Sequence, residues 1–381
     1  MLFPTRLTAA LLMAALTIAP AAAETPAATP SAAPAAAAPD VKAGGAAVFL
    51  TFLNAPLKGD PIRHSPRLGL TINGGRTVRA VMDTGSTGIV VAARLIPDMD
   101  KLPVIGKGEQ TYSSSGRIMR GKWVRVPVTI GGTNGGEVTT QPMPVLAVER
   151  VDCTPAARRC KPVIAPTNIA MIGVGFARQG SGAGAEIPQA GDPALQKGAR
   201  ARNPFLNIAS TGQPGTTGTV RPAYLVTRRG VWLGLTPDLL DGFRFVKLEK
   251  NAATGDWSAL PVCMSLDGRT PPACGTALID TGVTVMYLTL PPAQLADRTQ
   301  KAAKGQTLVP GAELKMSFGA PGTPLGYGFQ VGDKTNPAAP EGVTLVNRTN
   351  RVFVNTSVRL LNAFDYLYDA QEGFVGLRPR Q

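Results

Sequence analysis

From residue 46 onward, several short stretches of the chain alternate apolar and polar residues with a period of two. Ala47-Val48-Phe49-Leu50-Thr51-Phe52 reads as a strand. Leu68, Leu70 and Ile72 alternate toward Asn73-Gly74-Gly75, and Val78, Ala80 and Met82 alternate away from it. This predicts a tight hairpin, because Asn and Gly accept the positive φ that such a turn needs. The plan recurs later, where Val262, Met264 and Leu266 lead into Asp267-Gly268. Beyond Pro271-Pro272 the chain returns through Ala277, Leu278 and Ile279. Trp123 to Ile130 reads as a further strand, ended by Gly131-Gly132. Helical periodicity is rare, and 43 Gly and 34 Pro among 381 residues supply many turns. The pattern therefore predicts an all-β fold, with two related halves produced by internal duplication.

Each returning strand ends in the same tripeptide: Asp83-Thr84-Gly85 and Asp280-Thr281-Gly282, 197 positions apart (280 less 83). Two carboxylates held in contact cannot both ionise, since each charge raises the proton affinity of the other. They hold one proton between them and titrate as a unit. The ionised member can take a proton from water while the protonated one polarises a carbonyl, which is general acid–base chemistry without a metal. The threonine hydroxyls can pin the loops, and the glycines let backbone approach a carboxylate. Ser86 follows the first motif and can donate to Asp83, whereas Val283 follows the second and cannot donate to Asp280. On that asymmetry Asp83 is expected to ionise first and Asp280 to carry the shared proton, with activity in mildly acidic to near-neutral solution.

The paired motifs resemble those of the pepsin-like aspartic peptidases, in which two Asp-Thr-Gly loops meet between two β-rich lobes. The shared-proton dyad is established for that family and is implied here by the resemblance. So are an all-β, bilobal fold with a cleft between barrel-like lobes, an endopeptidase activity, catalytic roles for Asp83 and Asp280, and supporting roles for Thr84, Gly85, Ser86, Thr281 and Gly282. Tyr112, before Ser113-Ser114-Ser115-Gly116, matches the tyrosine at the tip of the family's flap, although Ser113 and Ser115 replace the usual glycines. Met171-Ile172-Gly173 matches the element packed beneath the first catalytic loop, and Phe353-Val354-Asn355 is its expected counterpart, with Asn355 in the place of the glycine. Val90 stands where the family has a tryptophan. These departures leave open a second class of function, a catalytically weak or inactive peptide-binding protein on the same fold. The resemblance implies a peptide or protein substrate, no cofactor, and a monomer, since one chain supplies both aspartates.

Residues 1–23 read as a secretory signal: Arg6, an apolar run over residues 7–18, and Ala21-Ala22-Ala23 before Glu24. The run is too short for a membrane span, so no stable membrane insertion is expected and the product is periplasmic or extracellular. Residues 24–45, rich in Ala and Pro, read as a tether. The lobes are expected at 46–220 and 221–381, with a Gly- and Ala-rich insertion over 179–203. The net charge of +14 comes from scattered Lys and Arg, which argues against a nucleic-acid site and for a solvated surface. A basic scaffold that binds anionic polymers is a third and weaker reading. The lone His64 leaves no multi-histidine metal site, and no metal is expected. The four cysteines fall into local pairs, Cys153 with Cys160 and Cys263 with Cys274; in an exported chain these predict disulfides, one per lobe.

Overall fold

The predicted hairpin forms as its turn chemistry dictates. Strands β1 (Val48–Thr51), β2 (Arg67–Ile72) and β3 (Val78–Asp83) come first, and β2 pairs antiparallel with β3, Leu70 opposite Val78. Asn73 and Gly74 at the turn have φ of 46° and 70°. The second hairpin joins Leu260–Leu266 to Ala273–Leu278, again through two residues of positive φ, Asp267 and Gly268. Leu68, Leu70, Ala80 and Met82 on one hairpin, and Val262, Met264 and Leu266 on the other, are buried in one apolar cluster shared by both halves. Each fully buried aliphatic side chain contributes roughly 1.5–3 kcal/mol, so both hairpins are anchored on their inner faces.

The computed structural model describes residues 38–155, 157, 160–177, 198–212, 219–252, 255–303, 305–319, 325–346 and 351–380. The expected signal, the first part of the Ala/Pro tract and most of the expected insertion lie outside the described residues. Within them the chain is β-rich and bilobal, built on three sheets of eleven, nine and six strands. The first lobe continues with β4 (Thr87–Ala92), β5 (Val104–Tyr112) and β6 (Arg117–Val126). Strand Ala170–Val174 lies between β3 and β4, parallel to one and antiparallel to the other, with Gly173 opposite both Asp83 and Gly88. The second lobe repeats this: Phe353–Asn355 lies between Ala273–Leu278 and Met286–Thr289. Each aspartate thus leaves a central strand whose place is fixed on both sides.

Four features depart from the sequence reading. The strand expected from Trp123 to Ile130 is two strands, β6 and Val128–Gly131, broken at Pro127, which has no N–H to give the ladder. Strand β1 joins neither lobe's main sheet. It pairs with Gly230–Leu233 in the six-stranded sheet that also holds Ala223–Val226 and the closing strands Phe364–Asp369 and Phe374–Pro379. The Ala/Pro tract is docked at its end: the Asp40 N–H donates to Glu372 and the Asp40 carbonyl accepts from Arg221. Lastly, Asn355 is level with Leu278, two residues short of Asp280, so Ser357, with φ of 56°, reaches the level that Gly173 holds in the first lobe.

Both local disulfides are present, Cys153–Cys160 and Cys263–Cys274. Cys263 and Cys274 are direct cross-strand partners in the hairpin that delivers Asp280. Among the described residues no helix is long and apolar enough to cross a membrane. His64 is exposed.

Candidate active site

The two Asp-Thr-Gly loops meet. Thr84 N–H donates to Thr281 Oγ1 at 3.1 Å, and Thr281 N–H donates to Thr84 Oγ1 at 3.0 Å. Each hydroxyl then donates to the strand that delivers the opposite aspartate, Thr84 to the Ile279 carbonyl at 2.6 Å and Thr281 to the Met82 carbonyl at 2.8 Å. The arrangement is two-fold symmetric, and both threonines are buried. A buried hydrogen bond is worth about 1 kcal/mol net, and leaving a partner unpaired costs ~1–3 kcal/mol. Four such bonds across one contact lock the loops in register.

The glycines show how close the carboxylates come to the opposing loops. A Cβ on Gly85 would lie 2.3 Å from Asp280 Cγ and 2.4 Å from each of its oxygens. A Cβ on Gly282 would lie 2.3 Å from Asp83 Oδ1. Each carboxylate therefore sits over the glycine of the other lobe, in space that only a residue without a side chain leaves open. Both aspartates are nearly buried, at 4% and 6% exposure for Asp83 and Asp280.

Within each loop the inner geometry is the same. Gly85 N–H donates to Asp83 Oδ1 at 2.7 Å, and Gly282 N–H donates to Asp280 Oδ1 at 2.9 Å. The outer oxygens differ. Asp83 Oδ2 accepts from the Ser86 hydroxyl at 2.5 Å, whereas Asp280 Oδ2 accepts from Asn355 Nδ2 at 2.6 Å. From the motif residues alone Asp280 has no side-chain donor, because Val283 cannot supply one. Asn355 supplies it from a different strand, so the expected asymmetry of donors is absent. In the sequence Asn355 stands only as a substitute for a turn glycine. An amide ending a short apolar strand was the available signal, but the partner lies 75 positions away in the chain.

Tyr112 ends β5 and faces Arg117 across the hairpin, with residues 113–116 forming the tip. Its ring packs on the apolar cluster of Val90, Met119, Trp123 and Leu146. Its hydroxyl is buried without a hydrogen bond of good geometry, yet it lies beside Ser86 and Asp83. Burial, reinforced by the Asp83 charge, pushes the Tyr112 phenol well above its ordinary value. In the second lobe Tyr287, the strand partner of Asn355, is likewise raised by burial and then by Asp280. Each aspartate thus has a neutral tyrosine nearby.

A buried arginine flanks the first loop. Arg202 ends the short helix Gly198–Arg202 and is 3% exposed, with its Cβ 3.6 Å from where a Cβ on Gly88 would lie. Its guanidinium stands 6.0 Å from the Trp123 ring centroid, and its Nε and Nη1 have no hydrogen-bond partner among the described residues. Burial lowers its pKa to about 10. It falls in the stretch expected to be an exposed insertion. The neighbouring Asn203, fully buried, donates to the Val174 carbonyl and ties this segment to the strand beneath the Asp83 loop.

No family model and no curated protein matches the sequence. Among solved structures, the aspartic proteinase from Irpex lacteus matches with a TM-score of 0.55, over 88% of this chain and 98% of its own, at 14% identity. The fold is pepsin-like. At that identity the likeness extends to the fold alone.

Proposed function

We propose that the protein is an exported aspartic-type endopeptidase, with lobes at residues 46–220 and 221–381 and with Asp83 and Asp280 as its catalytic residues. The observation that carries this reading is the reciprocal fit of each carboxylate over the opposing glycine, at separations that exclude even a methyl group. A monomer completes the site, because one chain supplies both loops. The two disulfides support an oxidising compartment and therefore export, periplasmic or extracellular.

The reaction needs no group beyond the pair and a water. The ionised member takes a proton from the water as its oxygen bonds to the peptide carbonyl carbon, and the protonated member gives its proton to the carbonyl oxygen. In the second step the captured proton passes to the amide nitrogen, the C–N bond breaks, and a hydroxyl of the tetrahedral intermediate returns its proton to the pair. The pair ends with the one proton it began with. Thr84 and Thr281 hold the loops, the Gly85 and Gly282 N–H groups orient the inner oxygens, and Ser86 orients Asp83. Tyr112, at the end of the β5–β6 hairpin, closes over the bound peptide.

Incubation with a random peptide library across pH, read by mass spectrometry, tests the reading. Internal cleavage that a statine-type transition-state mimic suppresses is expected. A protein that binds the mimic tightly and cleaves nothing would instead be a peptide-binding protein on this fold.

A further inference from the structure

We propose that Asn355 is a positioning residue that holds Asp280 as the carboxylate and so places the proton of the pair on Asp83. The inference rests on the endopeptidase reading for its meaning, but its geometry concerns the free protein.

The amide of Asn355 cannot turn round. Its Nδ2 donates to Asp280 Oδ2 at 2.6 Å, while its Oδ1 accepts the Ser357 N–H at 3.0 Å. Reversal would bring the amide oxygen against the carboxylate and leave a backbone N–H unpaired in a buried place. Asn355 is 6% exposed and sits on a strand bonded on both sides, so it has little freedom to move away. An amide NH2 can only donate. The other oxygen, Asp280 Oδ1, also faces a group that can only donate, the Gly282 N–H. Protonating Asp280 turns one of these oxygens into a much poorer acceptor opposite a donor that has no alternative.

Asp83 is supported differently. Its Oδ1 receives the Gly85 N–H, but its Oδ2 faces the Ser86 hydroxyl. A hydroxyl can rotate, donating to a carboxylate or accepting from a carboxylic acid. Of Gly85 N–H, Ser86 Oγ, Gly282 N–H and Asn355 Nδ2, only Ser86 Oγ can reverse. Two tyrosines that face the pair leave this order unchanged. Tyr112 faces Asp83 and Tyr287 faces Asp280, and both phenols are held neutral by burial and by the neighbouring carboxylate. Asp280 is therefore the base that takes the water proton, and Asp83 is the acid that protonates the carbonyl. This order is the reverse of the one that Ser86 and Val283 alone implied.

The test is a 13C NMR titration of the aspartate side-chain carboxyls in the free protein, with the two signals assigned through Asp83→Asn and Asp280→Asn. The pair titrates with two apparent steps. The lower step is expected to appear mainly at Asp280 and the upper mainly at Asp83. In Asn355→Leu the lower step is expected to rise by roughly one to two units, the equivalent of one hydrogen bond to a charged group. Asn355→Thr, whose hydroxyl can reverse, is expected to spread the proton more evenly over both residues, and it carries the test if the leucine variant does not fold. Adding Val283→Thr to Asn355→Leu is expected to restore a donor and lower the step again. A lower step centred on Asp83 in the unaltered protein, or no movement of it in either Asn355 variant, would overturn the assignment. Because no substrate is involved, the titration stands or falls apart from cleavage. A protein that titrates this way and cleaves no peptide refutes the endopeptidase reading only, and one that cleaves but shows no Asn355 effect refutes this inference only.

Discussion

Gly85→Ala is the perturbation that reads the meeting of the lobes most sharply, because the added methyl belongs to one lobe and the group it strikes belongs to the other. The new Cβ would lie 2.3 Å from Asp280 Cγ, while ordinary contact begins at 3.4 Å. Something must yield by about 1 Å. Backbone conformation is not the obstacle, since Gly85 is absent from the positive-φ glycines. The neighbouring backbone is also fixed by the reciprocal Thr84–Thr281 bonds, so the displacement falls on the Asp280 carboxylate. Misplacing a reacting group by about 1 Å costs on the order of 10²-fold in rate, which is about 2.7 kcal/mol of barrier. The assay is kcat and KM on a peptide found in the library digest, beside a thermal melt and far-ultraviolet circular dichroism to confirm the fold. The loss is expected in kcat, with a smaller change in KM and a melting temperature within a few degrees of the parent. Gly282→Ala, which pushes on Asp83 from the other side, is expected to behave alike. If both variants fold and retain full kcat, the carboxylates do not occupy the space described, and the reasoning fails.

Two further outcomes concern stability. Arg202→Met removes a buried guanidinium whose pKa is lowered to about 10 from 12.5, a penalty on the charged form of ~3 kcal/mol that is fully present below pH 10. Some of this is offset by the contact with Trp123, so the variant is expected to melt a few degrees higher at pH 7; a lower melting point would show that the arginine contributes net stability. For Asp267, burial pushes the carboxyl up, but the Arg298 side chain and the Glu313 N–H together hold it below the usual carboxylate range. Its folded value is depressed, so its contribution is present above the ordinary aspartate pKa and is lost as pH falls through the folded one. Asp267→Asn should therefore lower the melting temperature at pH 7 and leave it nearly unchanged near pH 2, and an equal loss at both pH values would contradict the assignment.

The parts of this fold that could be read from sequence are those set by local chemistry. Asn73-Gly74 and Asp267-Gly268 dictated their turns through positive φ, and the alternating residues beside them dictated which faces are buried. The Asp-Thr-Gly repeats carried the site because the same residues both turn the loop and hold the carboxylate. What escaped depends on partners far apart in the chain. Strand β1 pairs with Gly230–Leu233, more than the length of a lobe away, and nothing in Val48–Thr51 names that partner. Asn355 looked like a turn residue because its own neighbourhood says so, and its bond to Asp280 exists only once two strands lie side by side. Arg202 sits in a Gly- and Ala-rich context that suggested solvent, but Asn203 and Phe205 bury the segment. Pro127 marks its own break, but the apolar alternation runs straight through it.

The account depends on Asp83 and Asp280 acting as one chemical unit, and the direct measurement is a cycle of Asp83→Asn, Asp280→Asn and the double variant, each assayed for cleavage of the same peptide. Residues that act as a unit are grossly non-additive. Each single variant is expected to lose essentially all activity, and the double variant to be no slower than either. A single variant that keeps a substantial rate, or losses that multiply in the double variant, would show that the two carboxylates work apart and would contradict the account.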